Sequence, residues 1–238
     1  MKIRINKFLA HSGLCSRREA EKLIEKGSIK VNGSIIIEQG VKINPDKDKI
    51  EINQQHLAAK EKEKVVFALN KPKGFVCSTH KTKVEKDIIT DLFPADCPRL
   101  FSVGRLDKET SGLLLVTNNG AITFRLTHPK FGHSKKYLVE TFTAISNTAL
   151  DKIKKGVNLF GQKTLPTEIK RISNNKFYLI LKEGKNRQIR RICRKVGSNV
   201  KNLTRIQIGQ LTLKELKIKT GEFKKLSSIE IEKALSND

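Results

Sequence analysis

No stretch of eighteen consecutive apolar residues occurs in this chain, and its N-terminus lacks the apolar core of a secretory signal. Neither a membrane-spanning helix nor export is therefore expected. Cysteine is scarce and scattered. Cys15, Cys77, Cys97 and Cys193 never fall at metal-ligand spacing, and His11, His56, His80, His128 and His133 form no zinc-like pattern. No metal and no cofactor are expected, and the thiols read as structural or incidental in a reducing cytoplasm. Acid is the third shortage. Asp and Glu number 24 against 48 Lys and Arg, a formal charge of +24 at pH 7. That excess is far beyond what solubility needs and implies a polyanionic partner. With a membrane surface set aside, nucleic acid remains.

At 238 residues the chain can form one large domain or two smaller ones, with a core that needs no covalent staples. The first sixty residues read as a unit of their own. Ile5, Phe8 and Leu9 fit one face of a short helix. Ser16-Arg17-Arg18-Glu19 is a capping-box pattern opening a second helix, with Ala20, Leu23 and Ile24 inward and Gly27 as its stop. Strand-like Ser28 to Val31 and Ser34 to Ile37 flank Asn32-Gly33, a strong hairpin signal. Lys7, Arg17, Arg18 and Lys22 fall on or near the two helices. Arginines in the first turn work against the helix dipole, so their placement points to phosphate contact.

Lys60 to Lys64 is charged, lacks apolar periodicity and reads as a linker. Beyond it, strand-like runs recur at Val65 to Leu69, Phe75 to Cys77, Gly112 to Val116, Tyr137 to Phe142, Phe177 to Leu181 and Leu203 to Ile208. Helix candidates lie near Asp87 to Phe93, Ala121 to Leu126, Asn147 to Lys154, Asn186 to Val196 and Ser228 to Leu235. The mixed order implies an α+β fold and excludes a doubly wound parallel sheet. Between Lys182 and Arg205 nine cations face one acid, Glu183. Arg187, Arg190, Arg191 and Arg194 recur at helical spacing and form a basic stripe whose mutual repulsion an RNA backbone would relieve.

The most informative string is Gly104-Arg105-Leu106-Asp107-Lys108-Glu109-Thr110-Ser111-Gly112, followed by the apolar run Leu113 to Val116 and the turn Asn118-Asn119-Gly120. It sets a carboxylate on a loop fixed by a buried strand, beside a cation, which suits a nucleophile or general base. The string resembles the catalytic motif of pseudouridine synthases of the RsuA/RluB type, which modify ribosomal RNA. Four further motifs follow the same order: Asn70-Lys71-Pro72-Lys73-Gly74, Lys136-Tyr137, the segment Glu183 to Arg191, and Leu203-Thr204-Arg205.

The resemblance implies an S4-type RNA-binding domain over residues 1–60, with two helices and a small sheet. A mixed, mainly antiparallel catalytic domain would follow over 61–238. It implies Asp107 as catalytic carboxylate, Tyr137 stacked on the extruded uracil, Arg190 as the cation paired with Asp107, and Leu203 as an apolar cover for the base. Tyr137 is one of only two tyrosines. Arg105, Lys71, Lys73, Arg187, Arg191, Arg194 and Arg205 are expected to contact the substrate, with Lys7, Arg17, Arg18 and Lys22 serving the N-terminal domain. The chemistry breaks the bond from ribose to uracil nitrogen, turns the base over and makes a carbon–carbon bond, with no redox cofactor and no metal. Asp107 would attack the anomeric carbon or abstract a proton, and the sequence leaves that choice open.

One segment departs from the family pattern, Lys130-Phe131-Gly132-His133-Ser134-Lys135-Lys136 before Tyr137, and it bears on which RNA is recognised. The expected partner is ribosomal RNA, with the large-subunit RNA or a pre-ribosomal particle favoured, acted on by a cytoplasmic monomer. The alternative is an RNA-binding ribosome-assembly factor that keeps the fold without the activity. A DNA-binding regulator ranks third, since no base-reading recognition helix is visible.

Overall fold

The computed structural model describes residues 2–52, the strand at 55–56, and residues 63–236, and it divides the chain into two compact units, 1–64 and 65–238. The boundary expected after Lys60 lies outside the described residues. Among the described residues no helix is long and apolar enough to cross a membrane.

The first unit opens with β1 (Ile3–Arg4), α1 (Ile5–His11) and α2 (Arg17–Glu25). Ser16 caps α2 reciprocally. Its hydroxyl accepts from the Glu19 amide at 3.1 Å, and the Glu19 carboxylate accepts from the Ser16 amide at 2.6 Å. Two backbone donors that the helix start leaves without partners are thereby satisfied. β2 (Ile29–Val31) and β3 (Ser34–Ile36) turn through Asn32 and Gly33, both at positive φ, 50° and 82°. That is the type I′ geometry which matches strand twist. β4 (Lys42–Ile43) pairs with β1, while β5 (Ile50–Ile52) and β6 (Gln55–His56) extend the hairpin to four antiparallel strands in the order β3-β2-β5-β6. Ile5, Leu9, Ala20, Ile24, Ile29, Ile43 and Ile50 form the core. Lys7, Arg17, Arg18 and Lys22 are all exposed on the helices.

The second unit is built on β7 (Val66–Lys71), β8 (Phe101–Ser102), β9 (Ser111–Thr117), α3 (Gly120–Thr127) and β10 (Lys135–Thr141). There follow α4 (Asn147–Lys154), β11 (Asn158–Leu159), β12 (Gln162–Lys163), β13 (Glu168–Ser173) and β14 (Lys176–Leu181). The chain ends through α5 (Gln188–Lys195), β15 (Val200–Ile208), β16 (Leu211–Thr212), α6 (Leu213–Leu216), β17 (Phe223–Lys225) and α7 (Ser228–Leu235). The main sheet runs β13-β14-β10-β15-β9-β7-β17, with β16 and β8 paired beside it. Every pairing is antiparallel except β15 with β9.

The apolar run of β9 is buried on both faces because both faces are covered. Leu113 and Leu115 pack with Leu126 of α3 and Leu235 of α7, while Leu114 and Val116 pack with Phe93, Leu100 and Leu106. Further along the sheet, α4 and α5 place Leu150, Ile153, Ile189 and Ile192 on Val139, Phe177, Leu179 and Leu203. The parallel junction needs glycine. A Cβ on Gly112 would lie 2.2 Å from the Arg205 carbonyl oxygen, and φ there is +102°.

Two expected elements come out smaller. Phe75 to Cys77 makes only the single bridge Val76 to Ile88, because the chain turns at once, the Ser78 amide donating back to the Val76 carbonyl at 2.8 Å. The helix expected at Asp87 to Phe93 is a 3₁₀ turn, Ile89–Leu92. Pro94 holds Phe93 extended, which stops the helix there.

Candidate active site

Asp107 sits on the turn that leads into β9, and the turn is held from three sides. Leu106, just before it, is buried in the core, and its backbone exchanges two contacts of 3.3 Å with the Cys77 sulfur. Burial pushes the Cys77 thiol above its ordinary value, so it stays a neutral brace. The Thr110 amide donates to the Asp107 carbonyl at 3.0 Å, and the Gly74 amide donates to the Lys108 carbonyl at 3.0 Å.

The third brace corrects an expectation from the sequence. Lys71 does not face RNA: it is wholly buried at the end of β7. Its ammonium donates to the carbonyls of Pro72 and Thr110 at 2.9 Å and of Asp107 and Lys108 at 3.3 Å. Burial lowers its pKa, while Cys77, Glu109 and Asp107 oppose the shift. A buried ammonium is tolerable only when its donors are used, and here they are spent on the backbone of the catalytic turn. Lys73 is exposed, and its ammonium bonds the Asn202 side chain.

Around Asp107 opens a cavity of about 290 Å³. Arg105, Thr110, Tyr137, Leu203, Arg187 and the segment Glu183 to Ile189 line it. Asp107 is half-buried, and its carboxylate forms no hydrogen bond or ion pair among the described residues. Tyr137 lies opposite Leu179 on one side and Arg205 on the other, beside a register shift between Lys136 and Tyr137. Such irregularities re-aim a side chain out of a regular ladder. Leu203 is buried and supplies an apolar wall. Arg187 caps α5 in the left-handed region, at φ 50°. The loop before it is braced by Gln188, which donates to Glu183 at 2.5 Å and accepts from the Lys185 amide at 2.9 Å.

Arg190 stands near this cavity but outside its lining, and it makes no ion pair with Asp107. Its guanidinium donates instead to the Glu109 carbonyl at 2.8 Å and the Val200 carbonyl at 3.3 Å. Burial and then Arg187 pull its pKa below the ordinary value, while Asp107 and Glu109 raise it, so the Asp107 charge does reach it. With Arg187 and Arg194 it lines a second cleft of about 390 Å³, where Phe142 is 67% exposed. Arg191 is engaged within the fold, donating to the Asn186 side chain at 2.8 Å and lying 4.4 Å from the Phe160 ring. Arg205 lies apart from the Asp107 cavity. It is 3% exposed, and its Nε donates to the Leu113 carbonyl at 2.7 Å, so it does not reach the Asp107 cavity.

The structure thus brings Asp107, Arg105, Tyr137, Leu203 and Arg187 around one cavity and leaves Lys71, Arg190 and Arg205 beneath or beside it. Gln188 and Glu183 fall within the motif at 183–191, which by itself assigns them no role, and Phe142 was not anticipated. An amide three residues after a loop lysine is the only local hint of the first. Among the described residues no group of three or more His, Cys, Asp or Glu side chains is disposed to hold a metal.

A loop carboxylate anchored by buried braces, a tyrosine and an apolar wall around one cavity, and arginines on its rim define an enzyme acting on nucleic acid. Residues 65–195 match the RNA pseudouridylate synthase family and residues 3–47 match the S4 domain. The chain is 37% identical over 236 residues to the ribosomal large subunit pseudouridine synthase B of Bacillus subtilis, covering 97% of this chain and 94% of that one. It is 35% identical over 230 residues to the dual-specificity RNA pseudouridine synthase RluF of Escherichia coli K12, covering 96% and 77%. A crystal structure of a pseudouridylate synthase superposes with a TM-score of 0.72 at 31% identity, covering 98% of this chain and 99% of that one. This chain belongs to the RNA pseudouridylate synthase family.

Proposed function

We propose that the chain isomerises one uridine of ribosomal RNA, in the large subunit or a pre-ribosomal particle, as a cytoplasmic monomer. The larger unit performs the reaction and the N-terminal unit docks the RNA. The observation that carries this reading is Asp107, whose carboxylate has no hydrogen bond or ion pair among the described residues, in a cavity walled by Tyr137 and Leu203. Flipping a nucleotide out of its stack costs a few kcal/mol, which base packing in the cavity and phosphate contacts on its rim offset. The carboxylate acts on the sugar by attack at the anomeric carbon or by proton abstraction. The uracil leaves through N1 with the bonding pair and turns over against Tyr137. Its C5 then bonds to the anomeric carbon, either displacing the carboxylate or with return of the abstracted proton to the sugar, and the C5 proton leaves as N1 gains one. Mapping pseudouridines in ribosomal RNA from cells with and without this gene tests the reading. Loss of one site in the large-subunit RNA supports it, and an unchanged map contradicts it.

Arg190 is read as a positioning residue that ties the turn at Glu109 to β15. Arg190→Ala should lower the single-turnover rate by about 100-fold, the usual scale for losing one preorganised electrostatic group. Its effect on affinity should be far smaller, with Arg190→Lys recovering part of the rate. Arg194→Ala, on the exposed rim, should weaken binding and lower the magnitude of the slope of log affinity against log salt by about 0.7 to 0.9. Rates at saturating RNA, set beside isotherms at several salt concentrations, check both.

The N-terminal cations give a separate expectation. Replacing Lys7, Arg17, Arg18 and Lys22 together by Gln should flatten the same salt slope by about 0.7 to 0.9 for each that meets phosphate. All four are exposed, so the fold should survive, as circular dichroism would verify. An unchanged slope would mean that this face does not meet RNA.

A further inference from the structure

Next to the Asp107 cavity lies a larger pocket of about 650 Å³, sharing Gly104, Arg105, Tyr137 and the segment Glu183 to Lys185 with it. One side is built by the segment that departs from the family pattern, through Gly132, His133 and Lys135. Two cations line it, Arg205 buried and Lys135 half-buried. Arg205 uses its Nε on the Leu113 carbonyl, and its Nη2 is buried with no hydrogen-bond partner among the described residues. Lys135 donates to the His133 carbonyl at 2.8 Å. Burial, and then the Arg205 charge, push its pKa down to about 8.

Among the described residues, no free carboxylate in the pocket lining compensates this pair. Its other cations are Arg105, Lys163, Lys182 and Lys185, and its one carboxylate, Glu183, is engaged by the Leu165 amide and by Gln188. His128 and His133 add no negative charge. Two neighbouring cations held partly or wholly out of water without an anion cost free energy, and an anionic ligand removes that cost. The remaining walls, Val103, Leu126, Pro129 and Ile208, are apolar and suit the body of a nucleotide.

We propose that this pocket receives the nucleotide flanking the target uridine, with its phosphate on Lys135 above Arg205. The segment at 130–135 then contributes to the choice of RNA. The proposal rests on the reading of the neighbouring cavity as the seat of the target uridine.

The test is a binding cycle with an RNA hairpin cut around the mapped uridine, made with single neutral methylphosphonate linkages on either side of it. Lys135→Gln keeps a donor for the His133 carbonyl but loses the charge. It should bind the unmodified hairpin about tenfold more weakly, the low end for a charge-assisted hydrogen bond, and its salt slope should flatten by about 0.7 to 0.9. Lys135→Arg should restore both. The wild-type protein should lose a similar factor with one methylphosphonate position, and Lys135→Gln should lose nothing more there, since the two changes remove one contact. An unchanged Lys135→Gln isotherm, or losses that multiply at every linkage, would overturn the proposal. If the variant fails to fold, the wild-type methylphosphonate scan decides: a uniform response across linkages overturns it. Pseudouridine formation by wild-type protein in the same hairpin tests the underlying reading separately.

Discussion

Asp107→Asn should abolish isomerisation while leaving RNA affinity within a few-fold of wild type. The amide has the same shape but can neither attack the sugar nor take a proton from it. Packing gives no reason for the fold to change. The carboxylate forms no hydrogen bond or ion pair among the described residues, and the turn is held through its backbone by Lys71 and Thr110. Stability should therefore move little, which separates a lost reaction from a lost fold. A loss of at least 10⁴-fold in single-turnover rate is the order expected when a covalent or general-base group is removed. Residual turnover within tenfold of wild type, by protein free of wild-type contamination, would remove Asp107 from the role.

Lys71→Met should have the second largest effect, by a different route. The substitution keeps the volume of the buried stem but strips the donors from the carbonyls of Pro72, Asp107, Lys108 and Thr110. Each buried acceptor left without a partner costs about 1–3 kcal/mol. Partial relaxation and water entry reduce the sum, so a loss of about 3–5 kcal/mol is expected, a large share of a typical domain's stability. The rate should fall as well, because the turn that aims Asp107 is no longer fixed. Thermal unfolding and single-turnover kinetics check both, with turnover measured where the variant is still folded. A stable, fully active Lys71→Met protein would mean that the buried ammonium does not organise the site.

What the sequence revealed and what it hid divide along physical lines. The capped start of α2, the Asn32-Gly33 turn and the doubly buried β9 were legible because each is a local pattern with a local cause. The helices at Asn147–Lys154 and Ser228–Leu235 likewise begin at serine caps, Ser146 and Ser227. β13 was missed because it is an edge strand whose Lys170 and Arg171 interrupt the apolar alternation. The catalytic turn could be named from its string, yet the roles of its basic neighbours could not. Whether a lysine beside a proline faces solvent or caps a turn 36 residues away in sequence depends on which strands pair. Arg205 was hidden in the same way, since its burial follows from the parallel junction at Gly112. Charge composition identifies the kind of partner, and only packing sorts the cations that touch it from those that hold the protein together.

The central claim is that Asp107 drives the exchange of a carbon–nitrogen for a carbon–carbon bond on uridine. Forming the new bond at C5 releases the hydrogen held there, so RNA transcribed with uridine tritiated at C5 reports the reaction directly. Wild-type protein with a large-subunit ribosomal RNA transcript should release tritium to solvent up to one equivalent per RNA, and Asp107→Asn should release none. Release by both proteins alike, or by neither on RNA that both bind, would contradict the account.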